Sequence, residues 1–232
     1  MEFSDKEYQL RKDMCEIAGM MYAKGFIGGP AGNISARLDE ERFLMTPSIF
    51  FKHRLQPEQL IVVDGEGKKV GPETEATKGL NPTSEVPMHT TIYRKRPDVN
   101  GIVHAHPSCC VALTAAGKDI RPHVMTESML FLGDIAVAEY ATPTTVELGE
   151  NVGKVVTDSD CVILPYHGAI VAGRDMWDAC AKLEVLEQAA EICCLVNQMG
   201  GEKPLANEYV ADMLRLRDKM GMSMPGDKNL LK

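Results

Sequence analysis

The sequence predicts one α/β domain built on a mixed sheet. Short apolar runs bounded by Gly, Pro, Asn or Asp recur along the chain and read as strands. Two longer segments, 5–24 and 175–199, carry apolar residues at helical spacing. The strands arrive both as close neighbours and as runs separated by helices, a pattern that gives a sheet of mixed direction.

Leu10, Met14, Ile17, Ala18 and Met21 form one stripe of an opening amphipathic helix that ends at Gly25. A glycine loop, GFIGGPAG, then feeds the alternating strand Asn33-Ile34-Ser35-Ala36-Arg37. Residues 42–46 and 60–63 are further strands, and Asp64-Gly65 supplies a tight turn toward Lys68-Lys69-Val70. After a polar loop over 71–82, a helix starts at Thr83-Ser84-Glu85, with Ser84 as N-cap and Pro87 in the first turn, and runs to about 96. The strand 101–106 ends at Pro107 and is followed by a helix over 108–116. Residues 135–138, 161–164 and 168–173 are strands, with a helix near 144–157 between the first two. The stripe Trp177, Cys180, Leu183, Leu186, Ala190, Cys193 and Val196 marks a long helix stopped by Gly200-Gly201. One more helix covers about 206–220, and the Gly/Pro/Lys end over 221–232 is a candidate disordered tail. No repeat or linker divides the chain, so residues 1–232 read as a single domain.

At 232 residues the chain is long enough to bury a substantial core, and 44% hydrophobic with 25% charged residues is ordinary for a globular protein. A net charge of −8 without a large Lys/Arg cluster argues against nucleic acid as the main partner. No run approaches the roughly 18 apolar residues of a membrane span, and the charged N-terminus has no apolar signal region. The seven cysteines are odd in number, with no C-x-x-C, and read as buried thiols in a reduced, cytoplasmic protein.

Chemistry gathers at Gly101-Ile102-Val103-His104-Ala105-His106-Pro107. On a strand His104 and His106 face the same way, with backbones roughly 6.5 Å apart at about 3.3 Å of rise per residue. That is a metal-ligand pair, or else two histidines satisfied by local hydrogen bonds. His167 leaves the apolar run 161–164 in the same manner, and three imidazoles would leave an open position on a zinc ion. Glu85, in the first turn of a helix whose dipole favours its ionised form, is the candidate carboxylate; its alternative role is helix stabilisation. His89, one turn on, reads as a core residue or a support for the site, and His53 and His123 sit in polar surroundings. The glycine loop matches neither G-x-G-x-x-G nor G-x-x-x-x-G-K-[ST]. It and the Thr83-Ser84 amides remain candidate anion cradles.

Taken together, GNIS at 32–35, TPS at 46–48, PTSE at 82–85, HAHP at 104–107 and YHG at 166–168 resemble the class II aldolase/adducin family. Within it the chain is most similar to the L-fuculose-1-phosphate aldolase branch. The resemblance spans about residues 8–200. It implies a three-layer α/β/α fold around a mostly antiparallel sheet, assembled as a C4 tetramer with active sites between subunits. It also implies that His104, His106 and His167 bind a divalent metal, with zinc foremost and Mn2+ or Co2+ as alternatives. Glu85 would ligate the metal at rest and act as acid/base, while Asn33, Ser48, Thr83 and Ser84 would bind phosphate. The implied reaction cleaves a ketose 1-phosphate, such as L-fuculose 1-phosphate, to dihydroxyacetone phosphate and an aldehyde through a metal-stabilised enediolate.

Two positions depart from the family pattern. Ile49, followed by Phe50-Phe51, stands where phosphate-binding members usually have glycine. Val124 stands about where the aldolases place a tyrosine from a neighbouring subunit, leaving His123, Glu127 and Tyr140 as substitutes. The alternative on the same scaffold is a metal-dependent decarboxylase of a small hydroxylated or aromatic acid. A pentulose-5-phosphate 4-epimerase ranks lower, since it typically has Asp where Glu85 stands. A non-catalytic adducin-like interaction domain ranks lowest, because such domains have lost metal residues that are present here.

Overall fold

A computed structural model describes residues 3–203 and 205–231. Its centre is a seven-stranded sheet in which only one neighbouring pair is parallel. The strands are β1 (Asn33–Arg37), β2 (Arg42–Met45), β3 (Ile61–Asp64), β4 (Gly101–Ala105), β5 (Ile135–Val137), β6 (Cys161–Leu164) and β7 (Gly168–Gly173). Their order is β3-β2-β1-β4-β7-β6-β5, with β5 parallel to β6 and every other pair antiparallel. The mixed, mostly antiparallel expectation is met, and hairpins such as β1–β2 and β6–β7 explain why.

Helices cover both faces. Against one lie α1 (Asp5–Ala23), α3 (Ser108–Ala115) and α6 (Met176–Gln198), burying Met14, Ile17, Leu183 and Leu186 on Ile34, Val103, Ile163 and Val171. Against the other lie α2 (Val86–Lys95) and α5 (Val146–Val155), burying Met88, Ile92, Leu148 and Val152 on Ile102, Val162 and Ile170. Both faces being covered, the central strands are buried almost throughout. The period of two sorts each strand between two cores: Val103 and Ala105 go to one, Ile102 and His104 face the other.

Some sequence expectations need correction. Glu85, not Ser84, occupies the cap position of α2, and no side chain caps that end. Thr83 Oγ1 accepts the Glu85 amide at 3.3 Å instead, which turns the chain one residue later. Residues 68–70 form no strand; Lys69 makes a single bridge to Val63. Helix α4 (Thr126–Phe131) is too short to show periodicity and went unread.

The other correction is the tail. Helix α7 (Asn207–Lys219) is followed by a 3-10 helix over Pro225–Leu231, with Gly226, Asp227 and Leu230 buried, where disorder was expected; Lys232 lies outside the described residues. Arg217, 1% exposed, anchors it: Nε donates to Asp227 Oδ2 at 2.8 Å, and Nη1 donates to the Leu130 carbonyl at 2.6 Å. Arg217→Ala would leave Asp227 buried without its cation. A loss of about 3–5 kcal/mol is expected, read as a lower denaturant midpoint. An unchanged midpoint would show that the tail contributes nothing to stability.

Candidate metal centre

The site is built where β1, β4 and α2 meet. Asn33 and His104 are cross-strand partners in the β1–β4 register. Both therefore face α2, whose N-terminus carries Glu85 and whose next turn carries His89. His106 follows β4, its amide held by the Phe26 carbonyl at 2.8 Å. His167 lies in the turn between β6 and β7, donating its amide to the Leu164 carbonyl at 3.0 Å. Gly168 lets this turn approach β4, since a Cβ there would meet the Ala105 carbonyl and, at 2.9 Å, His106 Cδ2. Gly32, at φ +72, performs the same service beside the His104 carbonyl.

The three imidazoles form a triangle with ring centroids 4.7–4.9 Å apart. Among the described residues they are the one group of at least three His, Cys, Asp or Glu ligand atoms close enough to hold a metal ion together. His104 Nδ1 donates to the Ala169 carbonyl at 2.9 Å, which fixes the tautomer and turns the Nε2 lone pair inward. His104 Nε2 lies 3.1 Å from His106 Nε2 and 3.0 Å from Glu85 Oε2, and His167 Nε2 is 3.6 Å from Glu85 Oε1. A tetrahedron with metal–ligand bonds of about 2.0–2.1 Å has edges near 3.3 Å, so the histidine nitrogens suit a divalent ion, with Glu85 beside two of them. Glu85 Oε1 is also buried without a hydrogen-bond partner, the condition expected of a ligand oxygen.

Electrostatics agree with that fit. Burial, joined by the field of His104, pushes His106 down to about 3 and His167 to about 4, so both are neutral and able to ligate. Burial works to raise the Glu85 carboxyl, but the His104 imidazole, the Asn33 amide and His167 together hold it well below the usual carboxylate range.

Behind Glu85 runs a buried chain of donors that sequence reasoning missed. Asn33 Nδ2 donates to Glu85 Oε2 at 2.8 Å. Its Oδ1 therefore faces His89 Nε2, which donates to it at 2.5 Å. His89 Nδ1 must then accept from Ser35 Oγ at 2.6 Å, and Ser35 in turn accepts from the Tyr93 hydroxyl at 2.9 Å. Every link points toward the carboxylate. His89 is thus a supporting residue, and Asn33, expected at the phosphate, orients Glu85. The available signal was periodicity, since Asn33 and Ser35 share a strand face while Glu85, His89 and Tyr93 share a helix face.

His89 is fully buried and its pKa is pushed from 6.5 down to about 3, first by burial and then by His104. Between those values the unfolded chain takes up a proton that the folded chain refuses, so stability falls as pH falls. Thermal melts of chelator-treated protein are expected to drop steadily from about pH 6.5 to pH 4. A flat midpoint across that interval would contradict the neutral assignment.

The remaining predicted residues gather beside the histidines. Ser48 N donates to the Asn81 carbonyl at 2.9 Å, and Thr83 N to the Thr46 carbonyl at 3.0 Å, pinning the TPS and NPTSE segments together. Ser48, Thr83 and Ser84 consequently line one cleft of 280 Å³ with Glu85, His106 and His167. Ile49 sits at its rim at φ +51, 85% exposed. A larger cleft of 490 Å³ lies by His123 and Val124, under the C-terminal segment, and does not include the histidine triangle. His123 Nε2 donates there to the Leu230 carbonyl at 2.8 Å, and Glu127 is exposed and accepts from Thr126. Of the three substitutes for the missing tyrosine, Tyr140 is the one that reaches the histidine turn, edge-on to Tyr166 at 6.3 Å. Among the described residues no helix is long and apolar enough to cross a membrane.

Comparison with known proteins follows the same lines. The family model for the class II aldolase and adducin N-terminal domain matches residues 12–194. The chain is 33% identical to an L-fuculose phosphate aldolase of Methanococcus maripaludis (strain C5) over 185 residues, 80% of this chain and 96% of that protein. It is 27% identical over 221 residues to the 3-oxo-tetronate 4-phosphate decarboxylase of Escherichia coli (strain K12), 93% of this chain and 99% of the relative. A solved L-fuculose 1-phosphate aldolase superposes with a TM-score of 0.80 at 26% identity, covering 94% of this chain and 98% of the other.

Proposed function

The chain belongs to the class II aldolase and adducin family, on its fuculose-phosphate aldolase-like branch, and from that premise we propose that it cleaves a ketose 1-phosphate such as L-fuculose 1-phosphate to dihydroxyacetone phosphate and an aldehyde. It is a carbon–carbon lyase. The observation that carries the reading is the histidine triangle closed by a buried carboxylate with one free oxygen. His104, His106, His167 and Glu85 would hold the divalent ion, with zinc first and Mn2+ or Co2+ as alternatives. Once bound, that ion supplies Lewis acidity at the substrate's carbonyl oxygen.

The protein's own groups do the rest. Asn33 holds Glu85 Oε2, so Oε1 is the oxygen free to carry a proton. Glu85 Oε1, protonated from solvent, would deliver that proton to C3, which keeps the C3–C4 electron pair, while the C4 hydroxyl gives up its own proton and becomes the aldehyde carbonyl. Ser48, Thr83 and Ser84 would hold the phosphate end in the same cleft. We place the working site in a homotetramer, where a neighbouring subunit completes a rim on which Tyr140 and Tyr166 are exposed.

A decarboxylase of a phosphorylated 3-oxo acid is the second reading. Val124 carries no hydroxyl to exchange a proton with the C4 oxygen that becomes the aldehyde, and the likeness to the decarboxylase extends over 93% of the chain. The test is release of dihydroxyacetone phosphate from L-fuculose 1-phosphate and related ketose 1-phosphates, with zinc-loaded and chelator-treated protein read through a coupled reductase. Chelator-sensitive release supports the aldolase. No release from metal-replete protein, with CO2 evolved from 3-oxo-tetronate 4-phosphate, would replace it with the decarboxylase.

A further inference from the structure

Among the described residues five lysine or arginine side chains are buried: Arg11, Lys52, Arg96, Lys182 and Arg217. Four meet a carboxylate at 2.6–2.8 Å, namely Glu7, Asp160 (shared by two of them) and Asp227. Lys52 alone pairs with none among the described residues, although it is 2% exposed. Its Nζ donates to the Pro30 carbonyl at 2.8 Å and the Phe50 carbonyl at 3.0 Å. An ammonium has three donors, so one N–H is left over. A buried cation without a counter-ion is costly, and proteins keep one where a ligand supplies the opposite charge. Lys52 lies in the wall of the cleft that holds Ser48, Thr83, Ser84 and the histidines.

We propose that Lys52 is the charged recognition group for the phosphoryl end of the substrate, its spare N–H reaching the oxyanion that Ser48, Thr83 and Ser84 cradle. This rests on the phosphorylated-substrate reading above and deepens it. Neutral hydroxyls and amides orient a phosphate without balancing its charge, whereas a lysine ammonium supplies a compact positive charge. Burial lowers Lys52 to about 8, opposed by the Glu85 carboxylate, so the group is still largely protonated at neutral pH. Its geometry also bears on Ile49: with its side chain 85% exposed at the rim, Ile49 leaves Lys52 and the hydroxyls facing the cleft.

The test titrates sulfate, whose charge is constant over the working pH range, into metal-free protein by calorimetry, with metal uptake measured separately. Lys52→Met is expected to weaken sulfate binding by about 10- to 100-fold and to raise KM for a ketose 1-phosphate more than it lowers kcat. Lys52→Arg should keep most of the affinity. Spectra of 13Cε-lysine protein give a reading that survives a misfolded Lys52→Met: the Lys52 signal, assigned by its absence in Lys52→Arg, should move on saturation with sulfate. Equal sulfate affinity in folded Lys52→Met, an unmoved Lys52 signal, or no sulfate binding by the unmodified protein would each overturn the proposal. The lyase reading fails separately, if ketose 1-phosphates and 3-oxo acid phosphates go uncleaved while sulfate binding still depends on Lys52.

Discussion

His106→Ala yields a folded protein that no longer retains a stoichiometric divalent ion and turns over at least about a thousandfold more slowly, since Lewis-acid stabilisation amounts to several kcal/mol of barrier. His106 is the right member of the triangle to remove. It sits just beyond β4 and is half-buried, so truncation leaves little cavity in the core, whereas His104 is fully buried between β1 and β7. Loss of one imidazole leaves two nitrogens and a carboxylate that must itself leave the metal during turnover, so only two lasting donors remain. Metal analysis after dialysis, thermal melting and turnover should be measured on the same sample. Full metal content with normal activity would remove His106 from the site, and a collapsed melt would turn the question to His167→Ala.

Glu85→Gln separates holding the metal from moving the proton. The side chains have the same shape, and the glutamine carbonyl can still accept from Asn33 Nδ2, so the three histidines should keep their ion with reduced affinity. Turnover should fall about 10²- to 10⁴-fold, the usual contribution of a positioned acid or base. Exchange of the C3 hydrogen of dihydroxyacetone phosphate with solvent isolates the step. The unmodified protein should catalyse it and Glu85→Gln should not. Exchange that persists undiminished in the variant would assign the proton to another group.

Much of this was legible because the sheet writes its pattern into the chain with a period of two. GIVHAH announced a strand whose even positions face one layer, and the structure turns His104 and His106 toward the same point. His167 and Glu85 were legible through the set of short motifs around them. What stayed hidden depends on pairing at a distance. Ser35 looked like an ordinary strand serine until the β1–β4 register set it over His89 and Tyr93. Lys52, in a polar-looking stretch after two phenylalanines, reads as a surface lysine, and only its burial and lack of a counter-ion single it out. The C-terminal segment was misjudged for the same reason, because Gly, Pro and Lys signal disorder locally while Arg217 secures the segment from another helix.

The Asn33–His104 register carries a last consequence, for how such a protein can diverge. A slip of one residue in β1 would send Asn33 into the opposite core and turn Ile34 to the site, and the same slip in β4 would exchange His104 for Val103. The strand-borne reaction centre is therefore locked to the packing of α1 and α6 and cannot drift without unfolding the molecule. Ser48, Ile49 and Tyr140 hang from loops, and Lys52 opens a single 3-10 turn, Lys52–Arg54, with no such tie to the sheet. Natural variation and laboratory selection alike should reshape substrate choice through those loop positions, leaving the bond-breaking centre as inherited hardware.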